Sequence, residues 1–573
     1  MTSPPVPRLL LAAAFLLFAT WSFVVPIYET PDEPAHWQYV RHLRTHWTLP
    51  AYTPEFIEAN SPPLAYALFT PFAAGEASPD GLLSRRANGD LVSLAEPRRF
   101  LNTDDAYRQF WPQRLARLEA AAISTATVYF SWRAGVAAGG PAIGWLTALI
   151  VALLPMFAFR AGGISNDVAV GCLSAAATWG MVRLLREPFS WRVAWWTSAA
   201  VGLAYMSKVS AIALVPPFAL ALLIAEPAVT WRVRAWRLSA LALAAVIVAP
   251  WSIRNVVLYG DPVASEAMRH AVASLITDRS LFSPYFVSEF PRWLGKSFIG
   301  VFGWVSVTMP PLAYRPYVLL FAVGLGGATV AALRRRLEWR LAAVLALTCL
   351  AALAVVVRIN LQFTQPQGRY LMACVPALAI LVAIGLRAVP PPLTRVTSPL
   401  VVGIALLAGN LYALVGVVLP AYHPAPVRTL ATGERVMVPS ALTDMAVLDG
   451  ESRWIVTGRN PAWIAHVEVA ADRFATFEVE LTASIGTAPQ RACVVHATTD
   501  RPIPGNPPSC VDWLADGRPH VVRVPLRGHA GWSGHVTHVR LEPFAADAAP
   551  AGTALSTRRP RLTPAAVPSG GTP

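Results

Sequence analysis

The chain has little charge. Of its 573 residues only 14% are Asp, Glu, Lys or Arg, whereas 55% are hydrophobic. Soluble domains usually carry about 25% charged residues. This shortage excludes an ordinary water-soluble protein. It predicts a polytopic α-helical membrane protein whose length allows a large helical bundle and one further domain.

Cysteine is also scarce, and five residues are too few for a disulfide framework. Cys172, Cys349 and Cys374 fall inside apolar stretches, where we expect them to pack as small hydrophobic side chains. Cys493 and Cys510 lie in the polar C-terminal part, and we expect them to form a disulfide if that part is outside the cytoplasm.

Nucleotide and zinc motifs are missing as well. The sequence has no P-loop, no GxGxxG and no Cys/His zinc spacing. An ATP-driven transporter and a dinucleotide enzyme are therefore unsupported, and we expect no cofactor, although the sequence leaves a divalent metal open. The net charge of +14 is spread over arginines between apolar stretches, which argues against nucleic acid as a partner.

The apolar stretches themselves predict about eleven membrane spans, since a span sheltered by its neighbours can be shorter than ~20 residues. They are Leu9–Pro26, Leu115–Trp132, Ile143–Phe159, Val168–Leu185, Val193–Met206, Val209–Ile224, Leu238–Ile253, Tyr317–Leu333, Leu341–Val357, Leu371–Leu386 and Leu400–Leu419.

The arginines between these spans predict an orientation. With a cytoplasmic N-terminus, the short arginine-bearing loops all face the cytoplasm, as the positive-inside rule requires. The loop arginines are Arg183, Arg186, Arg192, Arg232, Arg234, Arg237, Arg334, Arg335, Arg336, Arg340, Arg387 and Arg395. The transmembrane domain 1–420 then has two long outer loops, 28–114 and 254–316. We expect a multi-pass membrane protein with a cytoplasmic N-terminus and an outer-side C-terminal domain.

Two carboxylates and a histidine follow the first span directly, in Pro31-Asp32-Glu33-Pro34-Ala35-His36. Thr30 and Glu33 have capping-box spacing, and Pro31 suits the first helical position, so helix capping explains Glu33. Asp32 has no such local role. An acid at a membrane surface needs a reason, and Asp32 is therefore the better functional candidate.

Further polar residues collect on the same predicted outer side. Singly, each has a structural explanation as a helix cap, a snorkelling lysine or an interfacial side chain. Together with Asp32 on one face, they favour a shared substrate site. They are Asn166, Asp167, Lys208, Arg254, Arg369 and Tyr370.

The C-terminal part has a different composition. From residue 421 to 545, alternating runs such as Phe477–Leu481 are separated by turn-rich pieces, which predicts a β-sandwich. The pattern from Trp532 onward resembles carbohydrate-binding β-sandwiches. The segment 546–573 is rich in Pro, Ala and Thr, and we expect it to be disordered.

Taken in chain order, several motifs resemble bacterial GT-C-type glycosyltransferases related to the DUF2142 group and to the protein O-mannosyltransferase and aminoarabinose transferase families. The resemblance covers about Arg8 to Leu419, and it departs at Ala65, where relatives often have an aromatic residue. The motifs are Pro31–His36, Pro62-Pro63-Leu64, Ser165-Asn166-Asp167, Gly202–Lys208, Pro250–Asn255 with Tyr259–Pro262, and Gly368–Leu371.

The resemblance implies an enzyme of the bacterial inner membrane, with a periplasmic C-terminal domain. It would transfer a sugar from a polyprenyl-phosphate donor to an extracytoplasmic glycan, lipid or protein. The resemblance also implies catalytic carboxylates at Asp32 and Glu33, with Asp32 as general base. His36 would orient Asp32 or contact the sugar. The other substrate-binding residues would be Lys208, Arg369 and Arg254 at the phosphate, together with Tyr370, Asn166 and Asp167.

Two alternatives remain open from the residues alone. One is a flippase or transporter for lipid-linked sugars, although such proteins usually place charged or broken helices at the bilayer midplane. The other is a non-catalytic protein of envelope-glycan assembly whose C-terminal domain binds glycan. The acids gather at a predicted membrane surface, which favours an enzyme.

Overall fold

A computed structural model describes residues 7–53, 56–73, 111–265, 269, 276–277, 279–305, 307–390, 395–422, 434–437, 441–449, 453–498, 507–545 and 548–564. They form two compact units that divide after Val418, close to the predicted boundary at residue 420. The first unit is helical and the second is rich in β-structure. The described residues do not include 74–110, which are part of the predicted outer loop 28–114, or 565–573, which are part of the predicted disordered tail.

The helices of the first unit follow the apolar stretches of the sequence. In chain order they are α1 (Arg8–Val24), α2 (Glu33–His46), α3 (Leu64–Phe69), α4 (Trp111–Gly139), α5 (Pro141–Leu153), α6 (Pro155–Ala161), α7 (Asn166–Arg186), α8 (Trp191–Ser207), α9 (Val215–Ile224), α10 (Trp231–Arg237), α11 (Leu241–Tyr259), α12 (Phe290–Gly300), α13 (Pro311–Leu333), α14 (Trp339–Gln362), α15 (Val375–Ala388) and α16 (Pro399–Leu411).

Shorter elements connect these helices. They are the 3₁₀ helices Ile57–Asn60, Thr70–Ala73, Val209–Leu214, Leu238–Ala240 and Gly368–Cys374, the π-helical segments Tyr285–Glu289 and Tyr412–Val418, and a hairpin of strands β1 (Val301–Phe302) and β2 (Val307–Thr308). The predicted outer loop 254–316 therefore contains α12 and this hairpin.

By length and composition, six helical segments of the described chain can cross a membrane, and a bent pair makes seven. They are Asn166–Arg186, Trp231–Tyr259, Pro311–Leu333, Trp339–Gln362, Gly368–Ala388 and Pro399–Tyr422. The bent pair is α5 and α6, which meet at 66°. Pro155 lacks a backbone N–H and opens α6, so the predicted single span Ile143–Phe159 is broken there.

Small residues allow close helix packing in this unit. At the crossing of α13 and α15, a Cβ on Gly385 would overlap the backbone of Gly324, and one on Gly327 would overlap Gly385. Close approach of this kind is the usual basis of helix association in lipid. At the end of the unit that contains α2, the 3₁₀ helix Gly368–Cys374 packs against α6 and α7. This packing brings the 3₁₀ helix Gly368–Cys374 against both α6 and α7.

The second unit begins with α17 (Leu419–Tyr422) and continues as strands. They are β3 (Arg435–Val436), β4 (Ala441–Thr443), β5 (Met445–Asp449), β6 (Arg453–Val456), β7 (Ala462–Ala470), β8 (Phe474–Thr498), β9 (Ser509–Asp516), β10 (His520–Pro525), β11 (His535–Glu542) and β12 (Ala554–Pro564).

Strand β8 organises this unit. Its first part pairs with β10 and β12, and its second part pairs with β9 and β11. The path of paired strands runs β4-β7-β11-β8-β12-β6-β5. Phe477, Val479 and Leu481 alternate inward from β8 and share one core with Trp463 and Trp513. Cys493 and Cys510 face each other across β8 and β9 and form a disulfide.

The predicted disordered tail 546–573 is wrong over Ala554–Pro564. These residues form β12, which pairs with β8 along one edge and with β6 and β3 on the other. Leu555 and Leu562 are buried in the common core. The Pro, Ala and Thr content concealed a strand. Leu555 and Thr557 face inward with a two-residue period, and so do Pro560 and Leu562, but an irregularity at Arg558 and Arg559 separates the two pairs.

Candidate functional site

Asp32 occupies a strained position at the start of α2. Its φ of 64° and ψ of 0° lie in the left-handed region, which Asp tolerates better than most residues other than glycine. The carboxylate makes no capping hydrogen bond to the helix. Instead, Asp32 Oδ2 lies 2.6 Å from Arg369 Nη1, and the side chain of Asp32 remains 35% exposed. This acid therefore faces a cation and accessible space.

The surroundings of Asp32 keep it ionised. Burial raises the pKa of its carboxyl, but the positive charges of Arg369 and Arg160 outweigh burial and hold the pKa below the ordinary 3.8. At neutral pH the carboxylate is thus available to accept a proton, as a weak base. Its basicity rises if another anion draws Arg369 away.

Asp167 collects two further cations beside this pair. As the second residue of α7, it binds Lys208 at the end of α8, and its Oδ2 lies 2.9 Å from Arg160 Nη2 at the end of α6. The side chains of Arg160 and Asp167 are 3% and 1% exposed. The ring of Tyr370 lies 5.0 Å from Lys208 Nζ.

We call Asp32, Arg160, Asp167, Lys208 and Arg369 the Asp32 cluster. Three cations and two carboxylates leave it one net positive charge, and buried cations of this kind attract an anionic group. Among the described residues, no group of three or more His, Cys, Asp or Glu could hold a metal ion.

Glu33 is placed differently from its neighbour Asp32. It is fully buried and forms an ion pair with Arg117, whose Nε donates to Glu33 Oε1 at 2.7 Å. The backbone N–H groups of Ile164 and Tyr28 donate to its two oxygens at 3.0 and 2.8 Å. Arg117 also donates to the carbonyls that end α1, those of Ser22, Val25 and Pro26.

The predicted capping box of Thr30 and Glu33 is therefore wrong. Helix α2 begins at Glu33 itself, and Asp32 is the flanking residue. Burial raises the pKa of Glu33, but the charge of Arg117 outweighs burial and keeps the pKa below the ordinary 4.5. Both oxygens of Glu33 are bonded and the side chain has no exposed surface, which suits a positioning role, and the catalytic role of Glu33 stays a prediction.

His36 and Asn166 both lie beside Tyr66 of α3. The His36 ring centroid is 5.4 Å from that of Tyr66, and Asn166 Nδ2 donates to the Tyr66 hydroxyl at 3.3 Å. His36 also belongs to the first turn of α2, where its backbone N–H donates to the Asp32 carbonyl. Burial lowers the pKa of His36 below its ordinary 6.5, so the imidazole is neutral at neutral pH.

Arg254 is not brought to the Asp32 cluster by its contacts. Its guanidinium donates to the carbonyls of Leu49 and Pro50 and lies 5.0 Å from the ring of Trp251. It thus ties the segment after α2 to α11. Its predicted phosphate role loses geometric support, because the arginine serves backbone carbonyls instead.

Sequence reasoning missed Arg160 and Arg117. Arg160 directly follows the predicted span Ile143–Phe159 and precedes the Ser165-Asn166-Asp167 motif, and a cation between those two features was a usable signal. Arg117 lies within the predicted span Leu115–Trp132. A charge inside an apolar span predicts a buried partner, but it does not identify Glu33 as that partner.

Comparisons with solved structures return membrane transferases of low identity. ArnT from Cupriavidus metallidurans, bound to undecaprenyl phosphate, is 16% identical over 68% of this chain and 61% of its own, with a TM-score of 0.40. Arabinosyltransferase EmbB from Mycobacterium smegmatis is 12% identical over 98% and 65%, at 0.45. The apo oligosaccharyltransferase of Archaeoglobus fulgidus is 11% identical over 70% and 56%, at 0.42.

This chain spans about three fifths of the length of ArnT. No curated protein matches it. A family model described as "Predicted membrane protein (DUF2142)" matches residues 103–378, which include α4 to α14 and the arginine and tyrosine at positions 369 and 370. The resemblance to that group is confirmed by this match over residues 103–378.

Proposed function

We propose that this protein transfers a sugar from a polyprenyl-phosphate donor to a hydroxyl group of an extracytoplasmic acceptor. The observation that carries the proposal is the Asp32 cluster, in which a partly exposed, ionised carboxylate lies against buried cations. Such a site offers a base and an anion-binding group within a few ångströms of each other. The motif resemblance adds the substrate class.

Donor binding would prepare the base. A phosphate held by Arg369 and Lys208 competes with Asp32 and Asp167 for the same cations. Arginine can bind phosphate with two parallel hydrogen bonds, whereas lysine acts as a point charge. As Arg369 turns toward the phosphate, Asp32 loses its partner and becomes a better proton acceptor.

In the transfer step, the acceptor hydroxyl gives its proton to Asp32, and its oxygen bonds to the anomeric carbon of the sugar. The bond from that carbon to the phosphate oxygen breaks, and the electron pair leaves with polyprenyl phosphate. Arg369 and Lys208 stabilise the charge that the leaving phosphate gains. One such electrostatic contact is commonly worth roughly 2.7–4 kcal/mol of barrier. Glu33 and Arg117 keep Asp32 in position.

The proposal includes an arrangement in the membrane. It has a GT-C-like bundle with about eleven spans, a cytoplasmic N-terminus and a C-terminal β-sandwich on the outer, periplasmic side that binds carbohydrate. An alkaline phosphatase fusion after Pro426 should then be active in a bacterial host. An inactive phosphatase there, together with an active cytoplasmic reporter at the same site, would overturn this arrangement.

Asp32→Asn tests the reaction itself. Asn keeps the shape of the side chain but cannot accept the acceptor proton, and general-base assistance is typically worth about 10²–10⁴-fold in rate. Purified protein in nanodiscs should transfer label from one of a panel of radiolabelled undecaprenyl-phosphate sugars, and Asp32→Asn should lose that transfer while retaining the fold.

Glu187→Gln is the matched control, since it also neutralises a carboxylate paired with an arginine, but at an exposed site. It should transfer at the normal rate. Near-normal turnover by Asp32→Asn would remove Asp32 as the base. Movement of labelled lipid across the bilayer without any transfer product would favour a lipid-linked-sugar transporter instead.

A further inference from the structure

His36 and Asn60 are buried polar side chains without a hydrogen-bond partner among the described residues. His36, one turn along α2, is 2% exposed, and neither of its ring nitrogens is bonded. Asn60, at the end of the 3₁₀ helix Ile57–Asn60, is 4% exposed, and neither its amide nitrogen nor its oxygen is bonded. Buried polar side chains in folded proteins rarely stay unbonded.

The polar side chains beside His36 bond to one another. Glu58 Oε2 accepts hydrogen bonds from Ser61 Oγ at 2.8 Å and from the Tyr66 hydroxyl at 3.2 Å. It lies 4.0 Å from His36 Nδ1, which is too far for a hydrogen bond. The Tyr66 ring stacks on Tyr39 at 4.1 Å, and both rings belong to one buried hydrophobic cluster.

The unbonded atoms of His36 and Asn60 include both hydrogen-bond donors and acceptors. A neutral imidazole offers one donor and one acceptor, and an amide offers two donors and an acceptor oxygen. A group that satisfies both must donate and accept, as hydroxyl groups do. The carboxylate of Glu58 is a partner for hydroxyl donors but repels an anion. The remaining capacity therefore matches a polyhydroxylated, uncharged molecule.

We propose that His36, Glu58, Asn60 and Tyr66 form a subsite for the hydroxyl groups of an uncharged sugar. The inference rests on the proposed function and deepens it. The cations of the Asp32 cluster bind the phosphate, and this neighbouring subsite binds the hydroxyl groups of the sugar. It selects neutral sugars against sugars that bear a carboxylate, because Glu58 and neutral His36 offer an anion no countercharge.

Binding measurements on the full chain in nanodiscs test the subsite without any turnover. The probes are undecaprenyl phosphate alone, undecaprenyl phosphate bearing mannose, glucose, galactose, arabinose or glucuronate, and the free methyl glycosides of the same sugars. We expect at least one neutral sugar to strengthen binding over the bare lipid, or to bind as its methyl glycoside. Glucuronate should give no such gain.

Asn60→Leu is the decisive variant, because leucine matches asparagine in size but cannot form hydrogen bonds. We expect it to weaken the sugar-dependent part of binding about tenfold, the effect of one or two hydrogen bonds, and to leave the bare lipid unaffected. Its melting temperature should not fall, since the unliganded protein has no described bond to lose. His36→Gln, which keeps one donor and one acceptor, should weaken the sugar-dependent part less.

The outcomes separate the sources of the sugar. A preference for a sugar-bearing lipid that is lost in Asn60→Leu assigns the subsite to the donor, and loss of methyl glycoside binding assigns it to the acceptor. If no neutral sugar changes binding, or if Asn60→Leu only lowers the melting temperature, these side chains bind structural water and the subsite is refuted. Failure of Asp32→Asn to slow transfer would refute the base and leave these binding results intact.

Discussion

Helix α7 carries an ion pair at each end, and the two pairs have little in common. Its 21 residues separate the ends by about 30 Å. At the first turn, Asp167 is 1% exposed and binds Arg160 and Lys208. At the last turn, Arg183 and Glu187 are 29% and 45% exposed and pair only as neighbours on the helix surface.

The difference shows what each charge contributes. An exposed pair exchanges water for a partner and gains little, whereas buried charges remain only where their partners compensate for lost hydration. The end with Asp167 therefore concentrates charges that stability alone does not require. The charges at that end, around Asp32 and Asp167, are the ones we propose as the site, and the exposed pair at the other end belongs to the surface.

The largest effect on stability is expected where a buried pair is broken. Glu33→Gln leaves Arg117 buried without a countercharge, and loss of one partner from such a pair typically destabilises by about 3–5 kcal/mol. Unfolding in nanodiscs, followed by tryptophan fluorescence, measures this change. Transfer activity should fall as well, because Glu33 and Arg117 position Asp32.

A double variant and a pH series test whether the stability lost in Glu33→Gln comes from the ion pair with Arg117. Glu33→Gln with Arg117→Met removes both charges and should recover most of the lost stability. The pKa of Glu33 is lowered from 4.5, so the pair stabilises fully above that value, and the stabilisation is lost as pH falls through the lower folded pKa. The deficit of Glu33→Gln should thus be constant near neutral pH and shrink in acid. A deficit that grows in acid would contradict the ion pair.

The β-rich unit offers a covalent link for comparison. Cys493 and Cys510 are 17 residues apart in the chain, and closing a loop of about this size stabilises by roughly 3 kcal/mol in the chain-entropy model. Replacing both by Ser should speed trypsin cleavage within 434–564 and leave binding of undecaprenyl phosphate unchanged. Cys349→Ser, a change at a free cysteine within α14, is the control. Free labelling of Cys493 in unreduced protein would refute the link.

The sequence predicted helices well and partners poorly. The predicted span Val168–Leu185 matches α7, because in lipid a long, mainly apolar segment satisfies its backbone hydrogen bonds by forming a helix. Asp32, Asp167, Lys208 and Arg369 were each singled out by residue type and predicted side of the membrane. The pairing of Arg369 with Asp32 and of Lys208 with Asp167 depends on how distant helices pack. Local sequence patterns do not encode that packing.

Glu33 illustrates the failure most clearly. Thr30 and Glu33 have the spacing of a capping box, and that local pattern was sufficient to explain Glu33 until Arg117 appeared beside it. A buried arginine takes precedence over a helix cap, because an unpaired charge is far more unfavourable than an uncapped N–H. Strand β12 was missed for a related reason, since the composition of 554–564 concealed a strand whose alternation is interrupted at Arg558 and Arg559.

The smallest effect is expected at the far end of α7. Arg183→Ala removes one exposed pair between residues four apart on the helix, and such pairs contribute about 0.3–0.5 kcal/mol. The same nanodisc unfolding measurement should barely register it, and transfer should be normal. High salt should reduce even that difference, because the pair is screened. A loss that approached that of Glu33→Gln would mean that exposure does not separate the two ends, and the charges around Asp32 would no longer stand out as a site.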